Sequence, residues 1–289
     1  MIGAVRELFM FNHILMIYHK LSYHLQLAFQ RAVSMGLRRS IDSQKLPEVT
    51  LFISSFNTLN ALQVTLGSLE KTTQKRERLV IADNASTDGS LEFLRSYSSK
   101  RSWVTLIESK ELKLHGLWID EMIRLCETKY LFFIDSDILF LGKDLISECV
   151  EYMERNKDCY LFSSERRDGG VIPTNCITIH EPSVATWFFG VRTSVREKIN
   201  ESFVIRYPHE QPEINGKKVV SDTGAKFIQA MKENRLGVHY FPWSLRVRFY
   251  HFGSLSWLYM VEGENRWTLM KKYQLLDLKR RAKGYQEIV

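Results

Sequence analysis

The sequence has no CxxC pair, no low-complexity tract and no internal repeat. It also has no uncharged apolar run of roughly 18 residues, the length a membrane-spanning helix needs. Its four cysteines, Cys126, Cys149, Cys159 and Cys176, stand far apart. They read as small buried hydrophobes in a reducing compartment, which disfavours a zinc site. The opening stretch MIGAVRELFMFNHILMIYHKLSYHLQLAFQ is apolar but interrupted by Arg6, Glu7, Asn12, His13, His19 and Lys20. It lacks the basic, apolar and small-residue order of a secretory signal. The expected location is cytoplasmic, with peripheral contact to a membrane as the variant of that expectation.

What is present suffices for a sizeable core. The chain has 289 residues, 45% of them hydrophobic and 25% charged, which suits a globular protein of one large domain or two small ones. A net charge of +7 favours anionic partners, meaning nucleotide phosphates, acidic lipid or nucleic acid. Nucleic acid is the weakest of these, because the positive charge gathers at a terminus and not on an aromatic-rich face.

Residues 2 to 39 read as a helix. Arg6, His13, Lys20, His24, Arg31 and Arg38 recur at steps of seven and four, along one narrow stripe of an otherwise apolar surface. Such a helix packs onto its own domain, onto a second subunit or into a membrane surface. The thin spread of basic residues favours the first two. At the other end, RWTLMKKYQLLDLKRRAKGY (266–285) reads as a basic helix, with seven Lys/Arg against the single acid Asp277 between Arg266 and Lys283. A solvated face and a membrane-surface role account for it equally well.

Pro47 opens a different region. VTLFISSF (49–56), LVIAD (79–83), WVTLI (103–107) and YLFFID (130–135) are apolar runs of strand length, separated by helix-compatible segments near 60–71, 89–98, 115–127 and 142–156. This alternation predicts an α/β fold, a mostly parallel sheet with helices on both faces. Ligands of such sheets bind beyond the carboxyl ends of the strands, where Ser54, Ser55, Asn57, Asp83, Asn84, Asp135 and Asp137 fall. Further on, CYLFSS (159–164), VATWFFGV (184–191) and GVHYFP (237–242) read as strands, and SDTGAKFIQAMKENR (221–235) as a capped helix.

Two stretches carry chemistry. In IADNASTDGSLEFL (81–94), Asp83 ends a strand and Asp88 or Ser90 can cap the next helix, which explains the loop by itself; a carboxylate there can also accept hydrogen bonds from a nucleobase or ribose. In KYLFFIDSDILFLG (129–142), Asp135 and Asp137 follow a buried strand, and alternating side-chain direction brings both to one side. A divalent cation would relieve their repulsion, although a D-x-D can also be a plain turn. RFYHFGSLSW (248–257) adds His251, and a mixed carboxylate and imidazole set suits Mn²⁺ or a similar ion.

In this order VTLFISSFNTLNALQVTLGSL, LVIADNASTDGS, LHG and YLFFIDSDILF resemble the family 2 glycosyltransferases of the GT-A fold, over about Val49 to Ser256. The resemblance implies a GT-A domain over 47–255, with a donor half at about 47–141 and an acceptor half at about 142–255. A helical extension (1–46) would precede it and a basic helical extension (256–289) would follow. It also implies a nucleoside-diphosphate sugar donor, with UDP-sugar favoured and GDP- or dTDP-sugar as options, and a divalent metal, Mn²⁺ or Mg²⁺. The sugar would pass with inversion to a glycan, polysaccharide or glycolipid hydroxyl. Carried over, Ser55 and Asn57 would lie near the nucleoside and Asp83 on the base, with Asp135 and Asp137 on ribose and metal and His251 at the metal or diphosphate. Asp222 would be the general base, with Glu210 and Glu213 as substitutes; a plain helix cap is the alternative for Asp222. Trp187 and Phe188 would line the sugar or acceptor pocket or else be core aromatics. Before the D-x-D strand the chain departs from the family pattern with LKLHGLWIDEM, so His115 and Asp120 are added as donor contacts.

Two other readings compete. FFIDSDIL also resembles the D-x-D loop of haloacid-dehalogenase-type phosphatases, with Asp135 as nucleophile. Leu139 replaces that family's usual Thr or Val, however, and three strands precede the motif instead of none. An inactive nucleotide-sugar-binding or membrane-attached assembly subunit is the non-enzyme reading, against which the retained metal and base candidates speak.

Overall fold

The structure, a computed structural model, describes residues 2–36, 46–73, 77–167, 170–171, 178–180, 182–205, 213–214, 216–253, 255 and 266–285. A long first helix, α1 (Ile2–Gly36), precedes a regular alternation: β1 (Val49–Ser55), α2 (Leu59–Thr72), β2 (Arg78–Asn84), α3 (Ser90–Ser99), β3 (Val104–Ser109), α4 (His115–Leu125) and β4 (Tyr130–Asp135). Next come β5 (Ile138–Phe140), α5 (Leu145–Arg155) and β6 (Cys159–Ser163). The short strands β7 (Arg166–Arg167), β8 (Gly170–Val171), β9 (Thr178–His180) and β10 (Ser183–Val184) lead to β11 (Phe188–Arg192). The chain continues through β12 (Glu213–Ile214), β13 (Lys217–Val220), α6 (Ala225–Glu233), β14 (Gly237–Tyr240), α7 (Trp243–Arg246), β15 (Phe249–His251) and α8 (Arg266–Lys283).

Seven strands form the central sheet in the order β14-β6-β11-β4-β1-β2-β3. β11 runs antiparallel to β4 and β6, and the other pairings are parallel. Strands buried on both faces read as unbroken apolar runs, and β4 is such a strand: Tyr130 to Ile134 are all 2% exposed or less. One face packs Leu51, Ile53, Phe132 and Ile134 against α2, α3 and α5. The other packs Phe52, Leu131 and Phe133 against Trp118, Ile119 and Met122 of α4 and Phe227, Ile228 and Met231 of α6. Register then levels the strand ends, because Ser55 pairs with Asp83 and Ser54 with Asp135. The polar residues of three strands therefore meet along one edge of the sheet.

The two terminal helices share a third apolar cluster with the body. Tyr23 and Leu27 of α1, and Leu278 and Ala282 of α8, pack with Ala61, Val64, Leu139, Phe252 and Leu255. The expected strand 184–191 is broken: β10 pairs with β7, whereas β11 joins the main sheet only from Phe188. Cys126, Cys149 and Cys159 are buried free thiols, as their apolar surroundings suggested, and Cys176 lies outside the described residues. Among the described residues no helix is long and apolar enough to cross a membrane.

Candidate active site

The acidic pair sits on a turn, not on an extended segment. β4 ends at Asp135 and β5 begins at Ile138, so Ser136 and Asp137 must reverse the chain. Side chains of α2 hold that turn. Thr65 Oγ1 donates to the Ser136 carbonyl (2.9 Å) and accepts the Ile138 N–H (3.0 Å), and Ser68 Oγ accepts the Phe140 N–H (3.0 Å). β5 pairs antiparallel with β15, which sets His251 opposite Ile138 and so beside Asp137. The next residue, Phe252, donates its N–H to the Asp137 carbonyl at 3.0 Å.

Asp135, Asp137 and His251 each offer one ligand atom, and these atoms lie within 4.8 Å of one another. His251 Nε2 stands 3.1 Å from Asp137 Oδ1 and 3.6 Å from Asp135 Oδ2. It is buried and ion-paired with both carboxylates without a well-formed hydrogen bond to either. Two carboxylates around such a nitrogen form a hard, mixed N/O donor set, so the residues fit a divalent cation. Burial disfavours the His251 imidazolium, but the charges of Asp137 and Asp135 outweigh it and push the imidazole up to about 9. Burial likewise acts against the Asp137 carboxylate, yet His251, Lys271 and the Leu255 N–H hold it below its usual value. Trp187 lies flat on the His251 ring, with centroids 4.4 Å apart and planes 15° apart.

These groups open onto a cleft of about 660 Å³ lined also by Ser54, His115 and Asp222. His115 Nε2 is 4.0 Å from Asp135 Oδ1. Its neighbour Gly116 accounts for the placement: a Cβ there would stand 2.7 Å from the backbone of Phe203 and Val204, against which the first turn of α4 rests. Asp222 stands three residues before the first residue of α6, and its carbonyl accepts the Ala225 N–H at 3.1 Å. Its Oδ1 accepts the Thr223 N–H (2.8 Å), and Gly224, at a φ of 87°, forms the residue before the helix. A second cavity, of about 750 Å³, surrounds Asp120 and Arg196 and shares only Lys113 with the cleft. Among the described residues it holds no comparable cluster of metal-ligating groups, so size does not mark the chemical site here.

Other expected contacts lie off the cleft wall. Ser55 is fully buried and shares a hydrogen bond with Thr58 (3.2 Å), because strand alternation turns Ser54, not Ser55, to the cleft. Asn57 adopts a φ of 51° and ties two loops together, its Oδ1 accepting the Thr87 N–H (2.7 Å) and its own N–H going to Ser86 Oγ (3.1 Å). Asp83 is fully buried, with Oδ2 accepting the Ser86 N–H (3.0 Å) and Oδ1 lacking a partner. Any ligand contact at Asp83 requires its covering residues to move. Asp88 does cap, and at two places: it accepts from Ser90 and from the Leu59 N–H at the start of α2. Phe188 belongs to the core, whereas Trp187 reaches the cleft. Asp120 binds Ser202 Oγ and the Phe203 N–H and lines the other cavity. Glu213 is exposed on β12, away from the cleft wall, and Glu210 lies outside the described residues.

Several supporting residues had no motif to announce them. Thr65 and Ser68, three apart on an apolar helix, carried the one local signal: polar residues on a core-facing side. Asn84 clamps the loop before α4 through both its amide atoms, accepting the Lys113 N–H (2.8 Å) and donating to the Lys113 carbonyl (2.9 Å). Lys271 of α8 is buried and donates to the carbonyls of Phe252 and Gly253 (2.5 Å for the latter), pinning the segment that follows His251.

A family model described as glycosyl transferase family 2 matches residues 50–207, more than half of the chain. The chain belongs to that family and is a glycosyltransferase. A search of curated proteins finds no match. Among solved structures, the mannosyltransferase PcManGT from Pyrobaculum calidifontis, in complex with GDP-Man and Mn²⁺, aligns at 13% identity with a TM-score of 0.46, over 96% of this chain and 95% of that one. S. aureus TarS 1–349 aligns at 13% identity with a TM-score of 0.41, over 65% of this chain and 64% of that one. Its complex with UDP-GlcNAc gives 13%, 0.40, 61% and 57%. These likenesses are distant, and the family assignment rests on the match over 50–207.

Proposed function

We propose that the cleft binds a nucleoside-diphosphate sugar and transfers the sugar to an acceptor hydroxyl with inversion at the anomeric carbon. One observation carries the reading: Asp135, Asp137 and His251 share a single cleft with the separate carboxylate of Asp222. Asp135, Asp137 and His251 would hold a divalent cation, Mn²⁺ or Mg²⁺, which when bound supplies charge neutralisation for the diphosphate. Asp222 would take the acceptor hydroxyl's proton as its oxygen bonds to the anomeric carbon and the bond to the diphosphate oxygen breaks. His115 and Trp187, on the cleft wall, would contact the donor. Ser55, Asn57 and Asp83 would act from behind it by shaping the loops beside the nucleoside, and the unpaired Asp83 oxygen would accept from a base N–H if the loop opens. The acceptor would be a glycan, polysaccharide or glycolipid.

The test begins with a screen of UDP-, GDP- and dTDP-sugars for thermal stabilisation, with and without Mn²⁺, since a ligand of the folded state alone must raise its stability. The expected result is a shift for one nucleotide class that grows with Mn²⁺. Asp222→Asn should then lower transfer by three orders of magnitude or about that, while donor affinity stays within about twofold of wild type. Transfer at the wild-type rate by the Asn variant would remove Asp222 as the base.

A further inference from the structure

α1 contacts the body with one face and leaves the opposite face apolar. With about 3.6 residues per turn, Tyr23, Leu27 and Ser34 share the buried side. Leu21, Leu25 and Phe29 stand on the opposite side, flanked by Ile17 and Met35; the five are 47 to 68% exposed, with the exposed Ala28 and Ala32 between them. A continuous apolar face of this kind on a helix surface marks an interaction site.

The charges around it choose the partner. Along one border of the apolar face runs the basic stripe of Lys20, His24 and Arg31, which leads towards α8: Lys20 Nζ lies 4.6 Å over the Tyr273 ring, and His24 shares a hydrogen bond with the Tyr273 hydroxyl at 2.7 Å. α8 then exposes Lys279, Arg280 and Lys283. Among the described side chains of α1 and α8 no acid is exposed. Residues 17–36 contain no Asp or Glu. The one acid of α8, Asp277, is buried and committed to Tyr23, Arg280 and Arg281. A second copy seated on this face would bring two sets of cations together with no exposed acid among the described side chains of α1 and α8 to meet them.

We infer that α1 and α8 together form a docking face for an anionic lipid bilayer surface, with the apolar face of α1 inserted at the headgroup boundary and the cations of both helices against lipid phosphate. Helices of this composition lie in the membrane interface and do not cross it, in keeping with the want of a spanning helix among the described residues. The face is independent of the catalytic reading, because none of its residues lines the cleft.

Flotation of the full chain with vesicles tests it. The protein should float with phosphatidylcholine vesicles containing phosphatidylglycerol and remain behind with phosphatidylcholine alone, and the binding should weaken with added salt. Leu21→Ser/Leu25→Ser/Phe29→Ser should abolish flotation. Lys279→Ser/Lys283→Ser should weaken it by roughly tenfold or more, since each cation near an anionic surface contributes about fivefold. All five side chains are exposed, so both variants should melt like wild type by circular dichroism. Absence of flotation on the anionic vesicles, or flotation indifferent to the triple substitution, overturns the inference. So does a dimer by sedimentation equilibrium that the triple substitution dissolves while no flotation occurs, which would assign the face to a second copy.

Discussion

Thr65 shows how much a single buried hydroxyl can hold. It satisfies the Ser136 carbonyl and the Ile138 N–H on either side of Asp137, and its residue is fully buried. Valine has nearly the same shape and neither hydrogen-bonding role. Thr65→Val should therefore cost about 1–3 kcal/mol, the penalty for buried backbone groups left unpaired, read as a lower urea midpoint with unchanged slope. If Asp137 depends on this support, the variant should also need more Mn²⁺ for a given thermal shift. An unchanged urea midpoint would mean that water or a neighbour replaces the hydroxyl. At this scale the sequence was partly legible. Asp135 and Asp137 could be picked out because carboxylates at a strand end demand a reason, and His251 because an imidazole suits the same ion; His115, Trp187 and Asp222 came only from the family resemblance, and all six line the cleft. Ser55 was misplaced by one step of strand alternation, and Thr65 was silent because its role exists only across a turn between two elements.

Elements were most legible where both faces are buried. Tyr130–Asp135 has its expected boundaries because burial from Tyr130 to Ile134 is complete on both sides. The small sheet of β12, β13, β9 and β8 was not foreseen, since strands of two to four residues carry too little period-two pattern to separate from loop. The stretch 184–191 misled because the chain turns at Trp187: its carbonyl still accepts the Asp135 N–H at 2.8 Å, while its ring lies on His251. One element joint yields a pH prediction. Glu154 of α5 accepts from Lys129 (2.5 Å) and Tyr130 (3.0 Å) at the start of β4 and from Lys157 (2.7 Å). Burial opposes its charge, but these donors outweigh burial and bring the carboxyl to about 2, from an ordinary 4.5. A depressed carboxyl contributes stability that is fully present above the unfolded value and is lost as pH falls through the folded one. Glu154→Gln should thus be less stable than wild type near neutral pH, with the gap closing as pH drops from about 4.5 towards 2. Urea titrations along that range check it, and a gap that does not change with pH would show that the donors do not act through the charge.

At the scale of the whole molecule, the family match ends at residue 207, whereas Asp222, His251 and Lys271 come later. The cleft is therefore completed by residues outside the matched stretch, and the terminal helices hold the segment around His251. Phe252 and Leu255, just after His251, share an apolar cluster with α1 and α8. Tyr23 of α1 donates to Asp277 of α8 at 2.8 Å, closing the two helices over that cluster. Lys271 then fixes the Phe252 and Gly253 carbonyls from behind. Reading 1–46 as an extension was natural from sequence, since α1 meets the segment beside His251 through contacts more than 200 residues apart in the chain, whereas α8 meets it from 18 and 19 residues away. Lys271→Met keeps the apolar stem but leaves two carbonyls without their donor and removes a cation that acts on Asp137. The expected outcome is a lower melting temperature and a reduced Mn²⁺-induced shift in the full chain, with Lys271→Arg recovering part of both. Lys279→Met, on the exposed side of the same helix, should change neither. If Lys271→Met lowers the melting temperature but leaves the Mn²⁺ response intact, α8 serves stability alone and His251 is positioned by β15 and β5 without it.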